Sequence, residues 1–405
     1  MFDRISRAGN DPATKEEHKM ERIDIIVDQA ELARNDEKKE RLQKTRSFKP
    51  TDRVPVAINT NQWTALAARG RRFADYIKSP QDNLREQILN TKWRIENVRD
   101  DQPIPTESLR FQPDFGCLRG IEFDMEIVWN DDFPPKCQHP LTSPEQIDDL
   151  KVPDPSSGFN AKRIEWYRAM VEDKMGFDVR LNGQPLKIEI TLAQPGGPIP
   201  SAFALAGGNL YLWMVMEPDR IHRLMDIVTE SHMRATRFFD EMMGRPTSHP
   251  VGLGCDAGEA IGPEMYREFV VPYYLKIWQA YGGARGFHNC GQNEHLLDII
   301  RDELQITALG GFGFCVDPTI LAEKMSGRVT LTGGPDPSLI QSGDWQDIVE
   351  VSRRYIETLG RRGGYILSCG GGATPGTPAE NFQALIEASK GLGPIMKEST
   401  SSIAL

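Results

Sequence analysis

Eight short runs of apolar, mostly β-branched residues recur along this chain with helical stretches between them. That alternation restricts the fold more than any other feature. The runs are VPVAI (54–58), MEIVW (125–129), LKIEITLA (186–193), VGLGC (251–255), RGFHNC (285–290), ITALGGFGF (306–314), RVTLTGG (328–334) and GGYILSC (363–369). Residues 211–243, 263–281, 293–303, 317–326, 345–361 and 378–391 read as helices, 211–243 from its apolar residues at helical spacing and 263–281 from a proline in its first turn. The helices expected at 317 and 336 open on Asp-Pro, an N-cap followed by a proline in the first turn. Eight strands with intervening helices predict an α/β chain, a (β/α)8 barrel over residues 48–405. The rival is a doubly wound open sheet, but no GxGxxG or GxxxxGKS/T follows any run. If MEIVW belongs to an excursion hairpin, FDVRL (177–181) becomes the candidate eighth strand.

Residues 11–47 are densely charged, with Met20, Ile23, Val27 and Ala30 at helical spacing. They predict a charged helical extension over 1–47 that packs on the main body. The 405 residues carry a net charge of −10, so the basic excess expected of a nucleic-acid binder is missing. No apolar run approaches the roughly 18–20 residues needed to cross a bilayer, and the first residues lack the apolar core of a signal peptide. The expectation is a cytoplasmic protein that binds neither nucleic acid nor membrane. Six cysteines, with no CxxC among them, are too few for a disulfide scaffold.

The residues with chemical potential lie just past the ends of the expected strands, where a barrel builds its active site. In FHNCGQNEH, His288 and Cys290 are two apart, so on extended backbone they point to one side. Cys369 ends the last run, in SCGGG. One imidazole and two sulfurs suit zinc, and three protein ligands leave a fourth position open, as in catalytic sites. The same residues also suit plain core packing at strand ends. The glycines 370–372 after Cys369 permit close approach of something bulky, or simply a tight turn into the last helix.

HNCG, followed by GGYILSCGGGATPGTPAEN with its cysteine 79 residues after the first, resembles the uroporphyrinogen decarboxylase superfamily, and within it the zinc-dependent corrinoid methyltransferase branch. PTDRVPVAI (50–58), the stretch from EIVWNDDFPP to LKVPDP (126–155) and GPEMYREFVVPYYLKI (262–277) agree, and the resemblance spans roughly residues 47–394. It implies a (β/α)8 barrel with its site at the strand C-termini. It implies zinc held by His288, Cys290 and Cys369, with the fourth place taken by substrate, water or an acidic side chain. Asp256 and Glu259 in LGCDAGEAIGP are the acidic candidates; Glu259 is taken as the ligand and Asp256 as a substrate contact. Cys255 beside them is expected inside the barrel. The activity implied is methyl transfer between a methylated small molecule, an ether or thiol, and cobalamin, with zinc as Lewis acid on the atom that gains or loses the methyl. No Asp-x-His occurs, so the DxHxxG mark of a built-in corrinoid domain is absent and the cobalamin is expected on a separate corrinoid protein or free.

For the methyl-donor pocket the candidates are Asn59, Asn61, Gln62, Trp63, Gln194, Phe312 and Phe314, and for the approach of the corrin Gly370, Gly371 and Gly372. The early PVWxMRQAGR motif of the true decarboxylases is replaced by PVAINTNQWTALAARGRRF, which argues against a porphyrinogen substrate. Arg69, Arg71 and Arg72 there suit an anion or a solvated helix face. Two other activities stay open: a metal-free decarboxylase acting on a different polycarboxylate, and a non-catalytic corrinoid-binding protein. A structural zinc site, closed by a fourth protein ligand, is the remaining alternative.

Overall fold

Short strands of three or four apolar residues gain little alone, and here they are stabilised by parallel pairing in chain order. A computed structural model describes residues 20–116, 119–246 and 248–393. Gly252–Gly254, Gly286–His288, Ala308–Gly310, Thr330–Gly333 and Tyr365–Leu367 form one five-stranded parallel sheet. Val56, in the first apolar run, bridges Leu367 in parallel. Ser108–Phe111 pairs in parallel with Lys187–Ile190. Two backbone bonds join these pieces into a ring: Asp101 N to Val56 O at 2.7 Å and Gly254 N to Gly196 O at 2.7 Å. The fold is a (β/α)8 barrel whose strands follow one another in space as in sequence, so all eight strand C-termini open on one end.

Seven of the eight runs supply barrel strands. MEIVW does not: Ile127–Val128 pairs antiparallel with Lys136–Cys137 in a hairpin over the mouth. FDVRL is not the replacement. The missing strand is Ser108–Phe111, where Leu109 and Phe111 are buried and Ser108 and Arg110 are not. Phe177–Leu181 instead pairs in parallel with Glu21–Ile25 outside the ring.

That pairing corrects the expected helical extension. Residues 21–25 are a strand, with Ile23 and Ile25 buried at every second position. Sheet pairing and burial against Leu84, Ile88 and Val179 outweigh the helical spacing of the flanking residues. Helices begin only at Gln29–Ala33 and Asn35–Arg46. The first 19 residues of the extension lie outside the described residues.

The expected helices form, with breaks where proline removes a donor. Residues 209–243 divide into Asn209–Met216 and Pro218–Met243, and residues 263–281 into Pro263–Phe269 and Val271–Tyr281. Asp317 and Asp336 each cap a helix that starts on proline, accepting from Thr319 N and Ser338 N. Among the described residues no single helix is long and apolar enough to cross a membrane.

Candidate metal centre and adjoining cavities

Strand register assembles the centre. Gly254 lies opposite His288 in neighbouring parallel strands. Two residues further along each chain stand Asp256 and Cys290. Asp256 Oδ1 is 3.1 Å from His288 Nε2 and accepts from Cys290 Sγ at 3.5 Å. The three ligand atoms lie within 4.8 Å of one another, the one such group of histidine, cysteine and acidic side chains among the described residues. His288 Nδ1 bonds Gly310 O at 2.7 Å, which fixes the ring and turns Nε2 to the group, as a ligating histidine requires. Burial alone pulls the His288 pKa down, but the hydrogen bonds and charges of Asp256 and Cys290 outweigh it and set it to about 10. Burial pushes Asp256 up, while His288 and Cys290 bring it below the ordinary carboxylate value.

Glycines make room for the ring. A Cβ on Gly311 would stand 2.6 Å from both Cε1 and Nδ1 of His288, and Gly311 sits at φ +66°. One on Gly313 would stand 3.3 Å from the Cα of Cys290. The oxygen-nitrogen-sulfur set of Asp256, His288 and Cys290 fits a divalent cation of the zinc type.

Two predicted ligands stand elsewhere. Cys369 is buried outside the group, and burial pushes its thiol up to about 12. Glu259 is also outside it. Its Oε2 accepts from Gln292 N at 2.8 Å and packs against Gly291, so it holds the loop after Cys290. Asp256, read as a substrate contact, occupies the place given to Glu259. Cys255 is fully buried, but its thiol faces Tyr266 and Tyr274 on the helices outside the strands and not the barrel interior where it was expected.

Two cavities border the centre and a third lies beside them, sharing Arg119 with both. The largest, about 690 Å³, is bounded by Asp256, Glu259, His288, Tyr211 and the hairpin residues Cys137 and His139. A second, about 390 Å³, runs along the strands Gly252–Gly254, Gly286–His288 and Ala308–Gly310 to the same Asp256 and His288. A third, about 360 Å³, lies towards the early strands and is lined by Asn61, Gln62, Trp63, Phe115, Phe159 and Gln194. Trp63 and Gln194 thus reach a cavity, although the Gln194 amide also contacts His249 Nε2 at 3.2 Å. Asn59 lies beside the glycine loop, its backbone bonded to Ser368 and Ala373. Phe312 is in the core, stacked on Tyr355, whereas Phe314 is exposed. Gly370 packs against Gly334 O and Phe314, while Gly371 has no atom within 4 Å of where a side chain would begin. Arg69 and Arg71 pair with Glu86, and Arg72 with Asp131 and Asp132. Sequence reading missed the Gly310 carbonyl and the wall formed by residues 112–116 and 119–122. The signal for the first was the LGGFGF run.

Comparisons with known proteins agree with this architecture. The family model described as uroporphyrinogen decarboxylase (URO-D) matches residues 118–392. The uroporphyrinogen decarboxylase of Danio rerio is 25% identical over 271 residues, 63% of this chain and 68% of its own. That of Xanthomonas axonopodis pv. citri is 22% identical over 87% of this chain and 98% of its own. A solved methyltransferase from Methanosarcina mazei superposes with a TM-score of 0.61 at 18% identity, covering 87% of this chain and 97% of its own.

Proposed function

Because the chain belongs to the uroporphyrinogen decarboxylase family, we propose that it is a zinc-assisted methyltransferase. It moves a methyl group from a methylated small molecule, an ether or thiol, to cobalamin on a separate corrinoid protein. The observation that carries this reading is the Asp256–His288–Cys290 group at adjoining strand ends. Two of its members are the His-x-Cys pair by which the sequence resembles the corrinoid branch, and the similarity in fold to a protein named a methyltransferase supports it.

Asp256, His288 and Cys290 would hold the zinc, with Cys369 as a further proposed ligand. When bound, the ion supplies Lewis acidity to the atom that parts with its methyl. The chain's own residues do the positioning. Gly310 O orients His288, and Glu259 steadies the loop that carries Cys290. Trp63, Phe115 and Phe159 offer apolar faces to a flat donor. The loop at Gly370–Gly372, open at Gly371, leaves space for the corrin to approach.

A second reading is favoured by the names of the curated relatives: a metal-free decarboxylase acting on a polycarboxylate. One experiment separates the two. The purified protein is assayed for zinc and incubated with cob(I)alamin and a panel of methoxylated and methylthio compounds. Zinc near one per chain with methylcobalamin absorbance for some donors supports transfer. No zinc, no cobalt methylation and carbon dioxide release from a polycarboxylate supports decarboxylation. His288→Ala must abolish the transfer while the fold persists; a protein inert in both assays is a binding protein.

A further inference from the structure

Arg119 lines both cavities that border the centre and the aromatic cavity beside them. It is the charged side chain shared by the cavities at Asp256 and His288 and the aromatic cavity beside Trp63. The guanidinium lies across Gly196, where a Cβ would stand 2.7 Å from its Nε, so the site is shaped to let it lie there. Among the described residues, no hydrogen bond or ion pair engages it.

The other charged groups of the aromatic cavity are already used. Asp114 accepts from Tyr76 Oη at 2.8 Å and from Gly116 N at 2.9 Å. Glu122 accepts from Ser231 Oγ at 3.4 Å. Burial raises the pKa of both carboxyls, which weakens their hold on a cation. Arg163 donates to Asn160 Oδ1 at 3.0 Å and to Ala193 O at 2.6 Å. Arg119 is therefore the uncommitted charge, and Arg163 adds a second positive field to the same space. A guanidinium presents a planar fork of donors that matches a carboxylate.

We propose that Arg119 is a specificity-determining residue that binds a carboxylate on the substrate, with the substrate's flat portion against Trp63, Phe115 and Phe159. The assignment deepens the methyl-transfer reading and rests on it, but binding tests it without cobalamin. Titration calorimetry of the full chain compares phenylacetate with the uncharged isostere phenylacetamide, neither of which carries a methyl to transfer. The expected result is at least about tenfold tighter binding of phenylacetate. Arg119→Gln abolishes that preference at unchanged melting temperature, and Arg119→Lys keeps part of it. Equal affinities in the wild type, no binding of phenylacetate, or an undiminished preference in Arg119→Gln overturns the proposal. Failure of the methyl-transfer reading shows up separately, as absence of cobalt methylation.

Discussion

His288 Nε2 and Asp256 Oδ1 stand 3.1 Å apart although 32 residues separate them in the chain. The pairing of Gly254 with His288 sets that distance, so Asp256 is held by backbone register and not by a mobile loop. If Asp256 is a ligand, removing it opens the centre. Asp256→Ala and His288→Ala are each expected to lower bound zinc from about one per chain to a small fraction after dialysis. Glu259→Gln is expected to retain most of it. Metal analysis with a matching circular dichroism spectrum checks this, and full zinc retention in Asp256→Ala refutes the assignment.

Cys369 poses a separate question. Its thiol is buried and outside the group, yet it stands two residues past the strand that pairs with Gly333, and the next residue, Gly370, packs on Phe314, whose neighbour Gly313 packs on Cys290. Metal binding is expected to draw it in. With cobalt(II) replacing zinc, Cys369→Ser should reduce the thiolate charge-transfer band by about half, as Cys290→Ser does. A band unchanged in Cys369→Ser makes it a core thiol.

The barrel was legible because seven strands lie within runs rich in apolar residues, the last of them, Tyr365–Leu367, buried throughout as a parallel strand can be. The eighth, SLRF, alternates like KIEI at 187–190 but, unlike it, is not followed by a further apolar stretch, so it offers no such run. ERIDI at 21–25 was hidden by the charges around it, and only its pairing partner at 177–181 makes it a strand. His288 and Cys290 were legible from period-2 spacing. Choosing Asp256 over Glu259 needed the register between two strands, which no local pattern carries. Arg119 was not legible at all, since its proposed role depends on cavities formed by many segments distant in the chain.

The extension is pinned to the barrel by a buried network. Asp101, 2% exposed, accepts from Arg41 at 2.8 Å, from both Nη atoms of Arg53 at 2.7 Å and from Val56 N at 2.8 Å. Asp101→Ala leaves the buried Arg53 with no carboxylate and Arg41 with Asp52 alone. The expected loss is about 3–5 kcal/mol of stability, read as a lower urea midpoint. A loss below 1 kcal/mol shows that solvent replaces the carboxylate.

His249 gives the fold a pH dependence of known sign. Its Nε2 lies 2.7 Å from Asp240 Oδ2, and that hydrogen bond raises its pKa above the ordinary value. A raised histidine contributes stability that is fully present below its unfolded value, about 6.5, and lost as pH rises through the folded value. The melting-temperature advantage of wild type over His249→Gln is therefore expected to be largest near pH 6 and to fade in alkali. An advantage that grows with pH contradicts the assignment.

Two glycines separate backbone strain from ring displacement. Gly311 and Gly70 sit at nearly equal φ, +66° and +65°. A Cβ on Gly70 meets nothing within 4 Å, whereas one on Gly311 meets the His288 ring at 2.6 Å. Gly70→Ala therefore measures the left-handed backbone penalty alone, about 1–2 kcal/mol. Gly311→Ala adds the collision, and because His288 is held on its far side by Asp256, the ring has to tilt away from the Gly310 carbonyl. The expected outcome is a larger loss of stability than in Gly70→Ala, together with weaker zinc binding that Gly70→Ala does not show. Equal effects of the two substitutions on zinc affinity mean that the ring's orientation is not set by Gly311 and that the carbonyl bond at 2.7 Å does not govern metal binding.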